Sequence, residues 1–298
     1  MLILNNHDKQ HVTSIHLSAV LMRILLILML AIPCWSNTQI YEWHDADGKQ
    51  HFSDRPVADA KIVNIKPGYD FFRIKTIYDG DTIELEDGRK IRLLGINTPE
   101  VQHRNQAADA GGDGAKHWLT DKLRNTKVRL EIGLEKTDKY GRTLAHLFTE
   151  RKEHINLQLV EAGLATVSIY PPNLQYVNEF VKAQDLAEQA KRGIWGRPEY
   201  APITINELTE NGHQGWTRVV GNVTGIHKTG KSVYLEFSPT SFKVRIESQW
   251  LELFPEINNY QDKTIEVRGW LKKNKDYLSM LIRHPSAIKV LNLKQDGV

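Results

Sequence analysis

The chain has 298 residues, with 39 Lys and Arg against 36 Asp and Glu, a formal net charge of +3 and 41% apolar residues. This length is sufficient for two modest domains, each with its own core. The near balance of charge excludes a protein that attracts anions over its whole surface, and the single cysteine, Cys34, excludes an intramolecular disulfide framework and a cysteine-rich zinc cluster.

A short apolar run near the N-terminus predicts a secretory signal peptide. Residues 24–32 are apolar without interruption, and this run is too short for a transmembrane helix, which needs about 20 residues. We expect residues 1–36 to be an N-terminal extension and signal peptide, with Met22 as an alternative start and cleavage after Ser36. The expected location is the periplasm or the medium. A lipoprotein anchored through Cys34 is the less favoured alternative, because Pro33 directly precedes the cysteine.

Residues 37–56 predict a small β-hairpin domain. Tyr41 and Trp43 alternate with polar residues before the turn at Asp47-Gly48. This segment resembles a short domain of unknown function found in bacterial envelope proteins. Residues 57–69 contain Lys66-Pro67-Gly68 and predict a linker.

A second hairpin is predicted between Tyr78 and Glu100. Apolar residues alternate on both sides of the turn at Asp87-Gly88, at positions 83 and 85 before it and 91 and 93 after it. Because a hairpin folds its two ends together, Asp81 should lie beside Asn97, Thr98 and Glu100. An acid, an amide, a hydroxyl and a second acid would then share one site.

Strands and helices alternate from there to residue 197. Residues 101–114 predict a loop, and they are followed by a helix on Ala115, Trp118 and Leu119. Strands are predicted at 128–132 and 143–148, and helices at 155–162 and 177–190. Residues 70–197 therefore predict a domain of mixed strands and helices.

The C-terminal part predicts an all-β domain. Residues 198–215 predict a linker, residues 216–292 contain five or six short strands typical of a small OB-like barrel, and residues 293–298 form a tail. Its aromatic and basic residues are typical of a surface that binds single-stranded nucleic acid, although such residues are more often part of a core and its rim. They are Lys228, Lys231, Tyr234, Lys243, Arg245, Arg268, Trp270 and Lys272.

Three motifs in residues 70–197 resemble the staphylococcal nuclease (thermonuclease) family. They are DGDT at 79–82, RLLGINTPE at 92–100 and DKYGR at 138–142, in the order in which the family has them. The resemblance implies a five-stranded OB-like barrel with three helices and calcium-dependent hydrolysis of phosphodiester bonds in DNA and RNA, with little sequence preference. With the other parts, the expected fold class is α+β and mainly β: this barrel, an all-β C-terminal barrel and a small N-terminal hairpin.

The resemblance also implies roles for individual residues. Asp81, Asn97 and Thr98 would provide oxygen ligands for Ca²⁺, and Glu100 would orient or deprotonate the attacking water. Arg92 and Arg142 would hold the phosphate, and Lys139 and Tyr170 would line the substrate groove. Asp79 is left open between supporting the metal site and stabilising its turn.

One residue departs from the family pattern. The family usually has Asp where this chain has Asn97, so the site loses one negative charge near a dication, and we expect weaker calcium binding. The alternative function is a non-catalytic module that binds nucleic acid or protein on the same fold. Arg92, Glu100 and Arg142 favour catalysis over this alternative, and we expect a monomer.

Overall fold

A computed structural model describes residues 40–45, 47–63, 70–101, 109–211, 215–238, 240–275 and 277–291. The expected signal peptide and C-terminal tail lie outside these residues. The chain divides into two units, residues 1–68 and 69–298. None of the described helices is both long enough and apolar enough to cross a membrane.

The first unit contains a three-stranded sheet. Its strands are β1 (Ile40–His44), β2 (Gln50–Ser53) and β3 (Lys61–Val63), in the order β2-β1-β3. The Asp45 carboxylate accepts hydrogen bonds from the backbone N–H groups of Asp47 and Lys49 and so holds the predicted turn. The third strand lies within the stretch predicted as a linker, because it pairs with β1 and so completes the sheet.

The second unit begins with a nearly closed barrel, which we call the first barrel. Its six-stranded sheet has the order β4-β9-β10-β7-β6-β5, and β8 pairs separately with β11. The strands are β4 (Phe71–Phe72), β5 (Ile74–Ile77), β6 (Thr82–Leu85), β7 (Lys90–Leu93), β8 (Ile96–Asn97), β9 (Val128–Thr137), β10 (Thr143–Thr149) and β11 (Thr166–Val167). Three helices pack on it: α1 (Gly112–Leu123), α2 (Ile155–Glu161) and α3 (Val177–Gln189).

The predicted central hairpin is the β6–β7 pair. Its register places Thr82 opposite Arg92 and Ile83 opposite Ile91. The apolar residues of both strands enter one core with α1, α2 and α3, which explains the alternation in the sequence. Helix α1 begins at Gly112, three residues before the predicted Ala115, since Gly111 adopts a φ of 101° that a glycine tolerates.

The C-terminal part forms a curled sheet, a half-barrel that we call the C-terminal sheet. Its order is β12-β13-β17-β18-β16-β15-β14, with β19 beside β17. The strands are β12 (Ile203–Thr204), β13 (Gly215–Asn222), β14 (Gly225–Lys228), β15 (Ser232–Glu236), β16 (Phe242–Glu247), β17 (Thr264–Lys273), β18 (Leu278–Ile282) and β19 (Ile288–Val290). Helix α4 (Ile205–Asn211) and β12 occupy the predicted linker, because β12 pairs with β13 and Leu208 enters the core of the sheet.

Short 3₁₀ helices complete the second unit. Two of them follow β16 near Trp250. The five segments are Gly193–Gly196, Pro198–Tyr200, Ser248–Leu253, Ile257–Tyr260 and Pro285–Ala287.

Four charged side chains, which we call the clamp, join α3 of the first barrel to the C-terminal sheet. Arg218 donates two hydrogen bonds of 2.9 Å to Glu266 and one of 3.2 Å to Glu188. Arg268 donates to both carboxylates. Only 5% of the Arg268 side chain is exposed. Arg268 is therefore a buried structural residue and not a member of a free nucleic-acid surface.

Candidate active site

The candidate site begins at the tight turn before β6. The N–H of Asp81 donates to Asp79 Oδ1 at 2.8 Å, and the N–H of Leu93 donates to Asp81 O at the same distance. The turn lies directly on Thr98, because a Cβ added at Gly80 would be 2.7 Å from Thr98 Cγ2. Glycine is thus required for close approach of the two ends of the hairpin.

The Asp81 carboxylate is buried and fully engaged by polar groups. Thr82 Oγ1 donates to its Oδ1 at 3.1 Å. Its Oδ2 accepts from the backbone N–H of Thr98 at 2.8 Å and from Thr98 Oγ1 at 3.1 Å, and it lies 3.0 Å from Arg92 Nη2. The fold therefore brings together residues 17 positions apart, as the hairpin predicts.

Arg92 lies between two of the oxygens predicted to bind metal. Its Nη2 is 3.0 Å from Asp81 Oδ2 and 3.0 Å from Asn97 Oδ1. Its Nη1 donates to the carbonyl oxygens of Leu93 at 2.6 Å and Ile96 at 3.0 Å. With 16% of its side chain exposed, the guanidinium is fixed in position while one edge still meets solvent.

Arg142 reaches the same site from a distant turn. Strand β10 runs parallel to β7 with Leu144 opposite Arg92, so Arg142 enters beside the hairpin. Its Nε donates to Asp138 Oδ2 at 2.7 Å and its Nη1 to Thr82 Oγ1 at 3.3 Å. Thr82 in turn donates to Asp81, which joins the two arginines through one polar chain.

Burial has its largest effect in the site on the Asp79 carboxyl. Burial, followed by the charge of Asp81, raises the pKa of Asp79 to about 6, although the hydrogen bond from the Asp81 N–H and the charge of Arg92 oppose the shift. The charge of Glu100 also raises the pKa of Asp79. Asp79 therefore stabilises its turn through the hydrogen bond from the Asp81 N–H.

Glu100 is placed by the start of α1. Its N–H donates to Asp109 Oδ2 at 3.1 Å, and its carbonyl oxygen accepts from the Asp109 N–H at 2.8 Å. A Cβ at Gly112 would lie 2.3 Å from Glu100 O, so the glycine lets the helix begin directly over this residue.

The two residues predicted to line the substrate groove lie in different surroundings. Lys139 is exposed, with its Nζ 4.9 Å from the Tyr140 ring centroid, and Arg142 lies 5.6 Å from the same ring. Tyr170 instead faces the C-terminal sheet, where the guanidinium of Arg283 lies 4.7 Å from its ring centroid.

Sequence reasoning missed three supporting residues. Asp138 holds Arg142, and the signal was an acid four residues before the arginine across a Tyr-Gly turn. The buried Asn156 accepts from the Leu147 N–H and donates to Leu94 O, tying β10 to the segment before β8. Its signal was a polar residue on an otherwise apolar helix face. Gly80 gave no signal beyond its place in a turn.

Comparison with known proteins adds to this geometry. Residues 90–197 match a family model described as staphylococcal nuclease homologue, and residues 27–70 match a domain of unknown function. The thermonuclease of Staphylococcus intermedius is 38% identical over 129 residues, which cover 42% of this chain and 76% of that protein. The chain belongs to the staphylococcal nuclease family. The thermonuclease of Staphylococcus hyicus is 36% identical over 127 residues, covering 42% of this chain and 75% of the relative.

A further relative is the endonuclease YncB of Bacillus subtilis, 32% identical over 127 residues, covering 41% of this chain and 60% of that protein. Membership of the staphylococcal nuclease family confirms the resemblance seen in the motifs and decides between the two functions considered. The chain is a nuclease, a hydrolase of phosphodiester bonds, and its substrate is nucleic acid.

Proposed function

We propose that the chain is a calcium-dependent nuclease that hydrolyses both DNA and RNA with little sequence preference. The observation that carries the proposal is the polar chain in which Asp81 contacts Arg92 directly and Arg142 through Thr82. Two fixed guanidinium groups next to oxygen donors match what phosphodiester hydrolysis requires, namely a cation and hydrogen-bond donors where charge develops.

The predicted donor set fits a hard cation such as Ca²⁺. Asp81, Asn97 and Thr98 supply only oxygen atoms, the donors that calcium prefers. A cationic group, the guanidinium of Arg92, already lies 3.0 Å from both Asp81 Oδ2 and Asn97 Oδ1, so these oxygens converge on positive charge. Among the described residues, no group of three or more His, Cys, Asp or Glu side chains is placed to hold a metal. We therefore propose a site with a single carboxylate ligand and neutral oxygens.

In this proposal each residue has a separate task. Bound calcium would neutralise the charge of Asp81 and polarise a phosphoryl oxygen of the substrate. Arg142 donates hydrogen bonds to the phosphate through its Nη2, and Arg92 donates to it once calcium has replaced its Nη2 on the Asp81 and Asn97 oxygens. These bonds strengthen as negative charge grows on the phosphate oxygens. Glu100 orients the attacking water and accepts its proton. Asp138 holds the Arg142 fork in position.

The proposed contacts also account for broad substrate use. Each of them is made to water or to a phosphate group, and DNA and RNA share the same phosphate groups. The hydrolysis therefore involves no contact that depends on the base. Attack on chain ends and attack within chains are both compatible with a site of this kind.

Location and domain organisation complete the proposal. We propose a periplasmic or secreted monomer with a signal peptide at 1–36, a small hairpin domain at 37–56, a nuclease domain at 70–197 and an OB-like domain at 216–292. The strand β3 lies in the first of the two stretches between these domains, and helix α4 lies in the second.

Cleavage by the purified protein tests the catalytic proposal. We expect hydrolysis of DNA and of RNA with calcium and its loss when calcium is chelated. Glu100→Gln should lower kcat by about 10²- to 10⁴-fold, the usual contribution of a positioned acid or base, while Glu150→Gln, at an exposed position in a turn, should retain activity. Undiminished cleavage in excess chelator would overturn the calcium assignment.

A further inference from the structure

We infer that the cavity between the first barrel and the C-terminal sheet binds an unpaired stretch of the nucleic-acid substrate close to the active site. The inference rests on the proposed function, because it extends the same substrate beyond the cleaved bond. The cavity, which we call the groove, has a volume of about 420 Å³. Residues 167–170 form one wall, and the outer face of β13, β17, β18 and β16 forms the other.

Aromatic rings line both walls of the groove. Trp270 is 46% exposed and Tyr170 is 48% exposed, which is unusual for side chains of this size. Trp216 lies opposite Trp270 in the register of β13 and β17, so a second indole is next to the first. Aromatic faces of this kind stack on nucleic-acid bases, and they do so only where the bases are unpaired.

The groove also contains positive charge that remains available. Arg283 and Lys272 line it, and neither has a carboxylate partner among the described residues, which do not include Asp276. Arg268, on the same wall, is already neutralised by the clamp. Two uncompensated cations beside exposed aromatic rings fit a polyanion with flat bases and do not fit an apolar ligand.

The groove is connected to the active site through one short segment. Thr166 pairs with Asn97, and its Oγ1 donates to Asn97 O at 3.1 Å. Tyr170 follows Thr166 by four residues, so the two lie at most about 14 Å apart if the chain between them is extended. A stacked strand advances about 3.4 Å per nucleotide, so a substrate that spans both places would be held at most about four nucleotides from the cleaved bond.

Binding without cleavage tests the inference. In excess chelator, the anisotropy of a labelled single-stranded dT₁₂ reports its Kd for the purified protein, with a 12-base-pair duplex as comparison. We expect tighter binding of the single strand, a Kd raised about 5- to 150-fold by Trp270→Ala and a smaller effect of Trp270→Phe. Arg283→Ala with Lys272→Ala should reduce the salt dependence of log Kd by about 1.4, since two phosphate contacts are lost. Lys263→Ala, an exposed cation outside the groove, is the control.

Cleavage by the same variants separates this inference from the proposed function. With calcium, Trp270→Ala should raise KM for dT₁₂ and leave the cleavage of a thymidine dinucleotide unchanged, because the dinucleotide does not reach the groove. If the wild type cleaves neither substrate, the proposed function fails. If it cleaves both, and neither Trp270→Ala nor the double basic variant alters the Kd for dT₁₂, the groove has no part in binding. Tighter binding of the duplex would also overturn the inference.

Discussion

Removing the charge of Glu188 should loosen the attachment of the C-terminal sheet to the first barrel. The clamp holds two guanidinium groups against two carboxylates, and Glu188→Gln leaves both arginines to Glu266 alone. Only 12% of the Glu188 side chain and 5% of the Arg268 side chain are exposed. Burial acts to raise the pKa of Glu266, but hydrogen bonds from Arg218 and the charge of Arg268 outweigh it and lower the pKa.

The expected loss of unfolding free energy in Glu188→Gln follows from this burial. Breaking a buried ion pair by removing one partner typically lowers the free energy of unfolding by about 3–5 kcal/mol, because a buried charge remains uncompensated. The matched control is Asp185→Asn. Asp185 lies on the same helix and pairs with Lys289 of the C-terminal sheet, but the two side chains are 41% and 50% exposed. The loss there should stay below about 1 kcal/mol.

Urea unfolding followed by tryptophan fluorescence and by circular dichroism measures both variants. We expect a markedly lower midpoint for Glu188→Gln, together with weaker dT₁₂ binding, because the two walls of the groove are no longer held at a fixed distance. Equal losses of unfolding free energy in Glu188→Gln and Asp185→Asn would show that the clamp contributes no more than a surface pair and would refute this reasoning.

Three further perturbations test the site and its support. Burial lowers the pKa of His146 to about 4 and of His154 to about 3, so as pH falls below the ordinary value of 6.5 the unfolded chain binds protons that the native state does not. Each histidine should lower the free energy of unfolding by about 2 kcal/mol between pH 7 and pH 5. In urea titrations at these two pH values, His154→Phe should remove about half of the loss. An unchanged loss would contradict the assignment. Gly80→Ala should lower kcat at least about tenfold, since the added Cβ would displace Thr98, and wild-type kcat would show that the turn tolerates it. Asn97→Asp should tighten calcium binding by about 2 kcal/mol, or roughly 30-fold, for one added charge about 4 Å from a dication in water, and an unchanged affinity in calorimetric titration would refute this.

The local geometry of the site could be predicted from the sequence. The contacts that hold the C-terminal sheet against the first barrel could not. Alternation around Asp87-Gly88 sets the register of the hairpin, and this register brings Asp81 to Thr98. The short-range pattern contains no information on the partner of Arg268, because Glu188 is 80 positions away and both residues are buried only where two domains meet. The alternation along β17 is the same for a buried arginine as for an exposed one.

The connections between domains were harder to predict for a related reason. Helix α4 lies in a polar stretch, and among its described side chains only Leu208 and the partly buried Ile205 pack on the core, too little apolar pattern to identify a helix. Strand β3 has only three residues and forms because β1 offers a free edge. Both elements depend on tertiary contacts and not on their own sequence preference.

We propose that Arg92 and Arg142 act on the same phosphate during cleavage, and replacement of each arginine by lysine tests this. Lysine keeps the charge but loses the paired hydrogen bonds, so Arg92→Lys and Arg142→Lys should each lower kcat for DNA by about 10²- to 10³-fold. Arg124→Lys, an exposed arginine after α1, serves as the control and should retain full activity. If either site variant keeps kcat within threefold of the wild type, that arginine does not hold the phosphate during cleavage.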